Sequence, residues 1–390
     1  MQKLKFDIPM LFIILGLIGY GISMNYSASS ALSLRTTGTL NAFLSKHVLF
    51  ALVGFFVMIM IAKIKYSIAR KIVWVLNGIT IVLLFLTYIP AFQMTVNDAS
   101  RWVNLFGISF QPSEIAKITV VFTLAHLIDE ARKKGTLNQF RDPKQGIIPI
   151  LGYIGFYLLI VLMQKHLSAA MLIGLISITM LFIGGVKKRF LLIMATSGIL
   201  FGIIGIIIEP FRVRRIMSFT DPFKDELGSG YQIIQSWYAL GSGEWFGLGL
   251  GMSRQKFGYI PENHTDFIIA IIGEEMGFLF GTLVVIILFI LFLLAGLIIA
   301  SKGKNIFELT LVSGIVFLVF YQFMINLFVV GGIMPVTGMP LPFISYGGTS
   351  LVVLMVGIGL IFNVTSTHSD LIEKEGEKRN DEESSNQRKT

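Results

Sequence analysis

FIIAIIGEEMGFLFGTLVVIILFILFLLAGLIIA, residues 267–300, is the longest apolar run of the chain. It holds 34 residues, of which only Glu274 and Glu275 are charged. Because a bilayer span needs about 20 mostly apolar residues, this run predicts a transmembrane helix. At a rise of about 1.5 Å per residue the helix would reach roughly 50 Å. The run therefore predicts one long helix that tilts or projects beyond the bilayer.

Nine further apolar segments accompany this run. Hydrophobic residues make up 54% of the chain, charged residues only 14%, and the mean hydropathy is +0.76. Since an open sheet cannot satisfy its backbone in lipid, these segments predict helices. The expected fold is an all-α integral membrane protein, a polytopic bundle of about ten transmembrane helices. The ten segments lie near 8–24, 47–62, 72–92, 113–129, 147–164, 167–186, 190–208, 267–300, 308–331 and 343–366.

The charges between the segments predict the orientation of the bundle. With the N-terminus inside, 21 of the 32 lysines and arginines fall in cytoplasmic segments, 10 fall in outer ones, and Lys117 lies within a span. This positive-inside pattern explains the net charge of +9 without a nucleic-acid partner. It predicts a membrane domain over residues 1–367 with a large extracytoplasmic loop near 209–265. A disordered cytoplasmic tail follows over 368–390, so that both termini are cytoplasmic.

The composition also excludes some classes of site. The chain has no cysteine, which excludes disulfides, thiolate nucleophiles and thiolate metal ligands. The five histidines show no metal-ligand spacing, so no metal site is predicted.

Charged residues at membrane depth are costly and are the first candidates for function. Glu114 and Lys117 are three residues apart, on one helix face and within reach of an ion pair. They could form a structural pair or line a cavity. Glu274 and Glu275 could anchor one helix to another or relay protons.

The large loop ends at Asp266, at the outer end of the long apolar run. A carboxylate there could cap the helix or act as a base. Cations in the loop could bind phosphates or lipid headgroups. Its glycines permit close backbone approach, but they match neither a dinucleotide fingerprint nor a P-loop. The loop cations are Arg212, Arg214, Arg215, Arg254 and Lys256.

Several sequence motifs are spread along the chain. They lie at 101–102 (RW), 111–114 (QPSE) with Lys117, 241–251 (GSGEWFGLGLG), 253–256 (SRQK), 259–262 (YIPE), 264–267 (HTDF), 273–275 (GEE) and 335–350 (PVTGMPLPFISYGGTS). Together they resemble the SEDS family, the shape, elongation, division and sporulation proteins, and the resemblance runs from the first apolar segment to the tenth. Residues 26–29 (YSAS) and 253–256 favour the FtsW and sporulation branch over the RodA branch. Glu244 departs from an expected glycine, and QKHLS at 164–168 replaces the QPDLG common in RodA-like members.

The resemblance implies a peptidoglycan glycosyltransferase that joins lipid II units at the outer face of the cell membrane, at the division septum. It implies a class B penicillin-binding protein as the cross-linking partner, together with other division proteins and membrane lipids. No tightly bound cofactor is implied, and the need for a divalent cation stays open. Asp266 is the expected catalytic base. The expected substrate-binding residues are Arg101, Glu114, Lys117, Arg212, Arg215, Arg254, Lys256, Glu262 and His264.

Two other classes of function remain to be weighed. A lipid II flippase would use Glu114, Lys117, Glu274 and Glu275 as a polar path through the membrane. However, the chain shows no convincing internal repeat of the kind that many transporters have. A scaffold that only recruits division proteins would give no reason for a carboxylate and cations around one loop.

Overall fold

A computed structural model describes residues 6–64, 66–96, 99–105, 107–140, 146–208, 210–228 and 230–367. Lys3 and Lys5, which contributed to the predicted orientation, and the predicted tail over 368–390 lie outside these residues. The described helices are α1 (Ile8–Thr37), α2 (Ala42–Ala62), α3 (Tyr66–Lys71), α4 (Val73–Leu86), α5 (Pro112–Lys133), α6 (Ile147–Met163), α7 (Leu167–Ile183), α8 (Lys188–Ile208), α9 (Pro210–Thr220), α10 (Tyr231–Gly243), α11 (Ile268–Gly277), α12 (Leu283–Ser301), α13 (Ile306–Val330) and α14 (Thr349–Thr367).

The helices confirm a polytopic, mainly helical membrane protein. Among the described residues, six helical segments are long and apolar enough to cross a membrane: α1, α2, α8, the run from α11 to α12, α13 and α14. The apolar helices α4, α6 and α7 are shorter. The helix α5 carries several charges. Each of the ten predicted segments thus contains a helix, and ten membrane crossings remain a prediction.

Local sequence rules explain where several helices begin and end. Asp7 caps α1, since its Oδ1 accepts a hydrogen bond of 3.1 Å from the Met10 amide. The same helix ends at Gly38, which adopts a φ of 71° that glycine tolerates best. Asn305 caps α13 in the same way as Asp7, by accepting from the Glu308 amide at 2.9 Å.

The core of the bundle lies around α13. This helix packs against α5, α7 and α12. The helix α14 joins the same core, because its Gly357 lies against Ile118 of α5 and Ile315 of α13. By contrast, only 6% of the apolar window of α8 is buried, so α8 lies at the periphery. The buried face of α13 also carries Gln322 and Asn326, which place polar groups inside the bundle.

A small antiparallel sheet between α4 and α5 was not predicted. Its strands are β1 (Gln93–Val96), β2 (Ala99–Leu105) and β3 (Ile108–Phe110), in the order β1-β2-β3. Trp102 pairs with Met94, and the turn after β2 uses Gly107 at a φ of 84°. The Gly107 amide donates to Asn104 Oδ1 at 3.1 Å. The sheet matters for the site because β2 carries Arg101.

The long predicted helix is interrupted. The helical segment Ile268–Ser301 has a π-helical turn, Phe278–Thr282, and Gly277 before it adopts a φ of 71°. A Cβ on Gly277 would overlap the main chain of Phe246 and Gly247. The break frees main-chain groups, and residues 244–249 bind them. The bonds run from Leu248 N to Glu274 O (2.9 Å), Gly249 N to Glu275 O (2.9 Å), Phe278 N to Glu244 O (2.9 Å) and Leu279 N to Trp245 O (3.0 Å).

The large predicted loop is folded over most of its length. It contains α9, α10 and two short 3₁₀ turns, Pro222–Asp225 and Gln255–Phe257. The helix α10 packs against α11, and Trp237 of α10 fills the space beside Gly332. Glu244 follows α10 with a φ of 46° and a ψ of −136°, a backbone region that is essentially reserved for glycine. This strain explains why the motif led us to expect a glycine there.

We predict that Gly277→Ala destabilises the protein by about 2–4 kcal/mol, because the methyl group must enter the main chain of residues 246–247 at an unfavourable φ. Gly78→Ala in α4 is the matched control, since no atom lies within 4 Å of its added Cβ. Thermal unfolding of both variants in detergent measures the effect. Equal midpoints for the two variants would show that the break does not need glycine.

Candidate active site

The main chain around Asp266 is held rigidly by two neighbouring parts of the bundle. Asn326 of α13 donates from Nδ2 to the carbonyl oxygens of Asp266 and Met339, each at 2.7 Å. The Tyr346 amide donates to the His264 carbonyl at 2.9 Å. Because α13 and the segment after it hold both sides of this turn, the main chain that carries the Asp266 carboxylate is positioned before any ligand binds.

Asp266 does not cap α11. The N-cap position of this helix is Phe267, which makes no side-chain capping hydrogen bond. Within the described residues, no hydrogen bond reaches the Asp266 carboxylate oxygens. Burial and the charge of Glu262 raise the pKa of Asp266 to about 7, against the opposing effect of Arg215. A carboxyl group that titrates near neutrality is suited to accept and release a proton.

Three arginines from two elements, β2 and α9, form a group, and one of them, Arg215, lies near the Asp266 carboxylate. Arg101 of β2 and Arg212 of α9 both donate to the Lys165 carbonyl, at 2.8 Å and 3.4 Å. Arg215, one turn after Arg212, donates to the Val336 carbonyl at 2.9 Å. Burial lowers the pKa of Arg101, and the charges of Arg215 and Arg212 lower it further. The three positive charges therefore lie close enough together to affect one another, as an anion site requires.

Lys165 accepts hydrogen bonds from two of these arginines through its main-chain carbonyl. It adopts a φ of 57°, which is uncommon outside glycine, in the short connection between α6 and α7. The next residue, His166, is buried, and its Nδ1 lies 3.0 Å from Ser113 Oγ. Burial and the charges of Arg101 and Lys117 lower the pKa of His166, so the imidazole is neutral.

Glu262 and His264 flank Asp266 in different ways. Glu262 is exposed, adopts a φ of 55°, and accepts from Thr265 Oγ1 at 3.0 Å. Its charge reaches Asp266, as the raised pKa shows. His264 is buried, with its ring 5.3 Å from that of Phe43 and near that of Tyr346. Burial lowers the pKa of His264, so it packs as a neutral aromatic group.

Glu114 and Lys117 form a buried ion pair of 2.8 Å. Lys117 Nζ also donates to Gln322 Oε1 of α13 at 2.9 Å, and Ser350 Oγ of α14 donates to Glu114 Oε2 at 3.0 Å. The pair therefore joins three helices of the core. This arrangement favours the structural interpretation of the pair over an open cavity.

Lys256 lies in a different cluster from the arginines. Its Nζ forms a buried ion pair with Glu275 Oε1 at 3.0 Å and donates to Ser27 Oγ of α1 at 3.1 Å. Glu274 accepts from the Arg254 amide at 3.0 Å, whereas the Arg254 side chain is exposed. No interaction of the described residues joins Lys256 to Asp266. Glu274 and Glu275 thus anchor the loop to α11, and Glu275 also joins α11 to α1 by accepting from Ser27 Oγ at 2.7 Å.

The chain matches a family of known proteins over most of its length. The family model described as "Cell cycle protein", which unites FtsW, RodA and SpoVE, matches residues 8–370. The chain belongs to this family. The resemblance to SEDS proteins that the motifs indicated is therefore confirmed.

Relatives of this SEDS chain match it over nearly its whole length. The probable peptidoglycan glycosyltransferase FtsW of Geobacter sp. (strain M18) is 36% identical and covers 93% of this chain and 97% of its own. Stage V sporulation protein E of Bacillus subtilis (strain 168) is 37% identical and covers 93% of this chain and 98% of its own.

Solved structures share the fold of this SEDS chain. A chain described under "Structural coordination of polymerization and crosslinking by a peptidoglycan synthase complex" has a TM-score of 0.70 and 24% identity, over 93% of this chain and 98% of that one. The rod shape determining protein RodA of Thermus thermophilus has a TM-score of 0.66 and 21% identity, over 92% of this chain and 96% of that one.

Two polar residues of α13 that the sequence motifs do not include hold charged residues of this region. Asn326 holds Asp266, and Gln322 holds Lys117, although neither was singled out. Both are polar residues, four apart, inside the apolar run 308–331, and polarity at membrane depth was the signal that could have found them. Among the described residues no three histidine or acidic side chains lie together as metal ligands, so no metal centre can be assigned.

We predict that Lys117→Met destabilises the protein by about 3–5 kcal/mol, because it leaves the Glu114 charge buried and unpaired. The double variant Glu114→Gln with Lys117→Met should lose less stability, since both charges are gone. Lys134→Ala is the control, because its 3.7 Å pair with Glu130 is exposed at the end of the same helix. Thermal unfolding measures all three. A double variant as unstable as Lys117→Met would contradict this account.

Proposed function

We propose that this protein is a peptidoglycan glycosyltransferase that polymerises lipid II into glycan strands at the outer face of the cell membrane. The observation that carries this proposal is the Asp266 carboxyl group. Its main chain is held by Asn326, its pKa is raised to about 7, and it lies near Arg215, a member of the arginine group. Relatives named as probable peptidoglycan glycosyltransferases support the reaction class.

The proposed reaction is one inverting displacement. A sugar hydroxyl of one lipid-linked unit attacks the anomeric carbon of the other, and Asp266 takes the hydroxyl proton. The bond from the anomeric carbon to the pyrophosphate oxygen breaks, and undecaprenyl pyrophosphate leaves with that electron pair. Arg101, Arg212 and Arg215 stabilise the negative charge that develops on the pyrophosphate. One carboxylate suffices, unlike the pair that typical glycosidases use.

The proposed setting follows from the charge pattern and the relatives. The loop that contains α9 and α10 faces outward, both termini are cytoplasmic, and the protein acts in septal wall synthesis. A class B penicillin-binding protein is the proposed partner. The fold shared with a chain of a peptidoglycan synthase complex that couples polymerization and crosslinking supports this partner.

A lipid II flippase is the alternative, and the contacts of its required residues argue against it. Lys117 is held by Glu114 and Gln322, and Glu275 is held by Lys256 and Ser27. A transport path needs polar groups that exchange partners with the substrate. Here they are engaged with neighbouring helices and with the loop.

We predict that Asp266→Asn inserts normally but polymerises lipid II about 10²–10⁴-fold more slowly, because the amide cannot accept the proton. Glu262→Gln, four residues earlier and exposed, is the matched control and should keep most of the activity. The initial rate of polymerisation by purified protein, reconstituted with a class B penicillin-binding protein, measures both. Wild-type rates for Asp266→Asn would remove it from the mechanism and favour the flippase.

We also predict that polymerase activity falls as the pH drops through about 7. The base form is the carboxylate, and a raised pKa means that protonation removes it already near neutral pH. Glu262→Gln removes a negative charge that raises this pKa, so the midpoint of kcat/KM should move to lower pH. A profile that is flat between about pH 6 and 8, or a midpoint that moves upward, would contradict Asp266 as the base.

A further inference from the structure

The segment 336–339, between α13 and α14, is fixed against the site by side chains from three helices. Its Val336 carbonyl accepts from Arg215 of α9 at 2.9 Å. Its Thr337 carbonyl accepts from Ser168 Oγ of α7 at 2.8 Å. Its Met339 carbonyl accepts from Asn326 of α13 at 2.7 Å. Three of the four carbonyls are therefore held, and the segment forms a rigid wall of the site.

Gly338 brings this wall against the Asp266 carboxylate. It adopts a φ of 69°, and a Cβ built on it would lie 3.4 Å from Asp266 Oδ2. Apart from its two neighbours in the chain, no other described residue lies within 4 Å of that Cβ. The main chain beside Thr337 therefore lies close to the carboxylate of the proposed base.

The hydroxyl of Thr337 is buried and has no hydrogen-bond partner among the described residues. Other buried threonines of the chain have partners: Thr310 Oγ1 donates to the Ile306 carbonyl at 2.6 Å, and Thr80 pairs with Thr119 at 2.8 Å. A buried polar group without a partner is costly, and a ligand that supplies the partner removes this cost. Thr337 therefore has the chemistry of a binding group.

We propose that the Thr337 hydroxyl binds the acceptor sugar beside Asp266, through a hydrogen bond to a hydroxyl or N-acetyl group of that sugar. This inference rests on the proposed polymerase function and assigns a residue to its acceptor subsite. A carbohydrate suits the place better than a phosphate, because a neutral sugar hydroxyl can donate to the adjacent Asp266 carboxylate, whereas a phosphate would be repelled by it. The arginines then serve the pyrophosphate of the donor.

The test compares variants that keep or remove the hydroxyl. Thr337→Val keeps the side-chain shape without the hydroxyl, and we expect kcat/KM for lipid II polymerisation to fall about 5- to 20-fold. Thr337→Ser restores the hydroxyl and should keep at least about a third of the wild-type value. Thr310→Val, which removes a buried hydroxyl from α13, is the matched control and should leave activity unchanged.

Thermal unfolding of the same variants decides between binding and structure. Because the Thr337 hydroxyl is unpaired in the free protein, Thr337→Val should unfold at the wild-type temperature or above it. Wild-type kcat/KM for Thr337→Val overturns the proposal. A lowered unfolding temperature also overturns it, since the hydroxyl would then have a structural partner. If the wild-type protein makes no glycan from lipid II, the proposed polymerase function itself is wrong. This result is distinct from a failure of the Thr337 proposal alone.

Discussion

In a bilayer every main-chain N–H and C=O group must find a partner inside the protein, and this constraint governs the segment that leads to Asp266. The break at Gly277 frees main-chain groups of the long helix, and residues 244–249 take them up through four hydrogen bonds. Glu274 and Glu275 then secure the following residues, 253–256, by accepting from their amides and from Lys256. The loop cannot move without breaking these bonds.

Opposing charges surround Asp266 in the site. Asp266 stands on a rigid turn where burial and Glu262 favour the protonated carboxyl and Arg215 favours the carboxylate. Arg101 and Arg212 are oriented by the neutral carbonyl of Lys165. Main-chain acceptors orient a guanidinium without neutralising it, so its charge remains directed at an anion. The carboxylate and the cations are thus arranged before the substrate arrives.

The sequence was sufficient for the helices and for part of the site. Apolar run length predicted the ten helical segments, the family motifs led to Asp266, and the cations of the large loop led to Arg212 and Arg215. The sequence could not separate Lys256 from the arginines, because Lys256 meets its ion-pair partner Glu275 only when the loop folds back on α11. The sheet carrying Arg101 has strands of 4, 7 and 3 residues, too short for a periodic signal. A glycine at position 277 is equally compatible with close packing of an unbroken helix, so the sequence alone does not reveal the break there.

The unusual backbone of Glu244 has a practical consequence for protein engineering. Its φ of 46° and ψ of −136° store strain of about 1–3 kcal/mol in an exposed residue whose carbonyl, and not its side chain, pairs with Phe278. A glycine at this position keeps that pairing and releases the strain. Glu244→Gly therefore provides a parent protein of higher stability, in which variants that destabilise the membrane domain can still be purified and assayed.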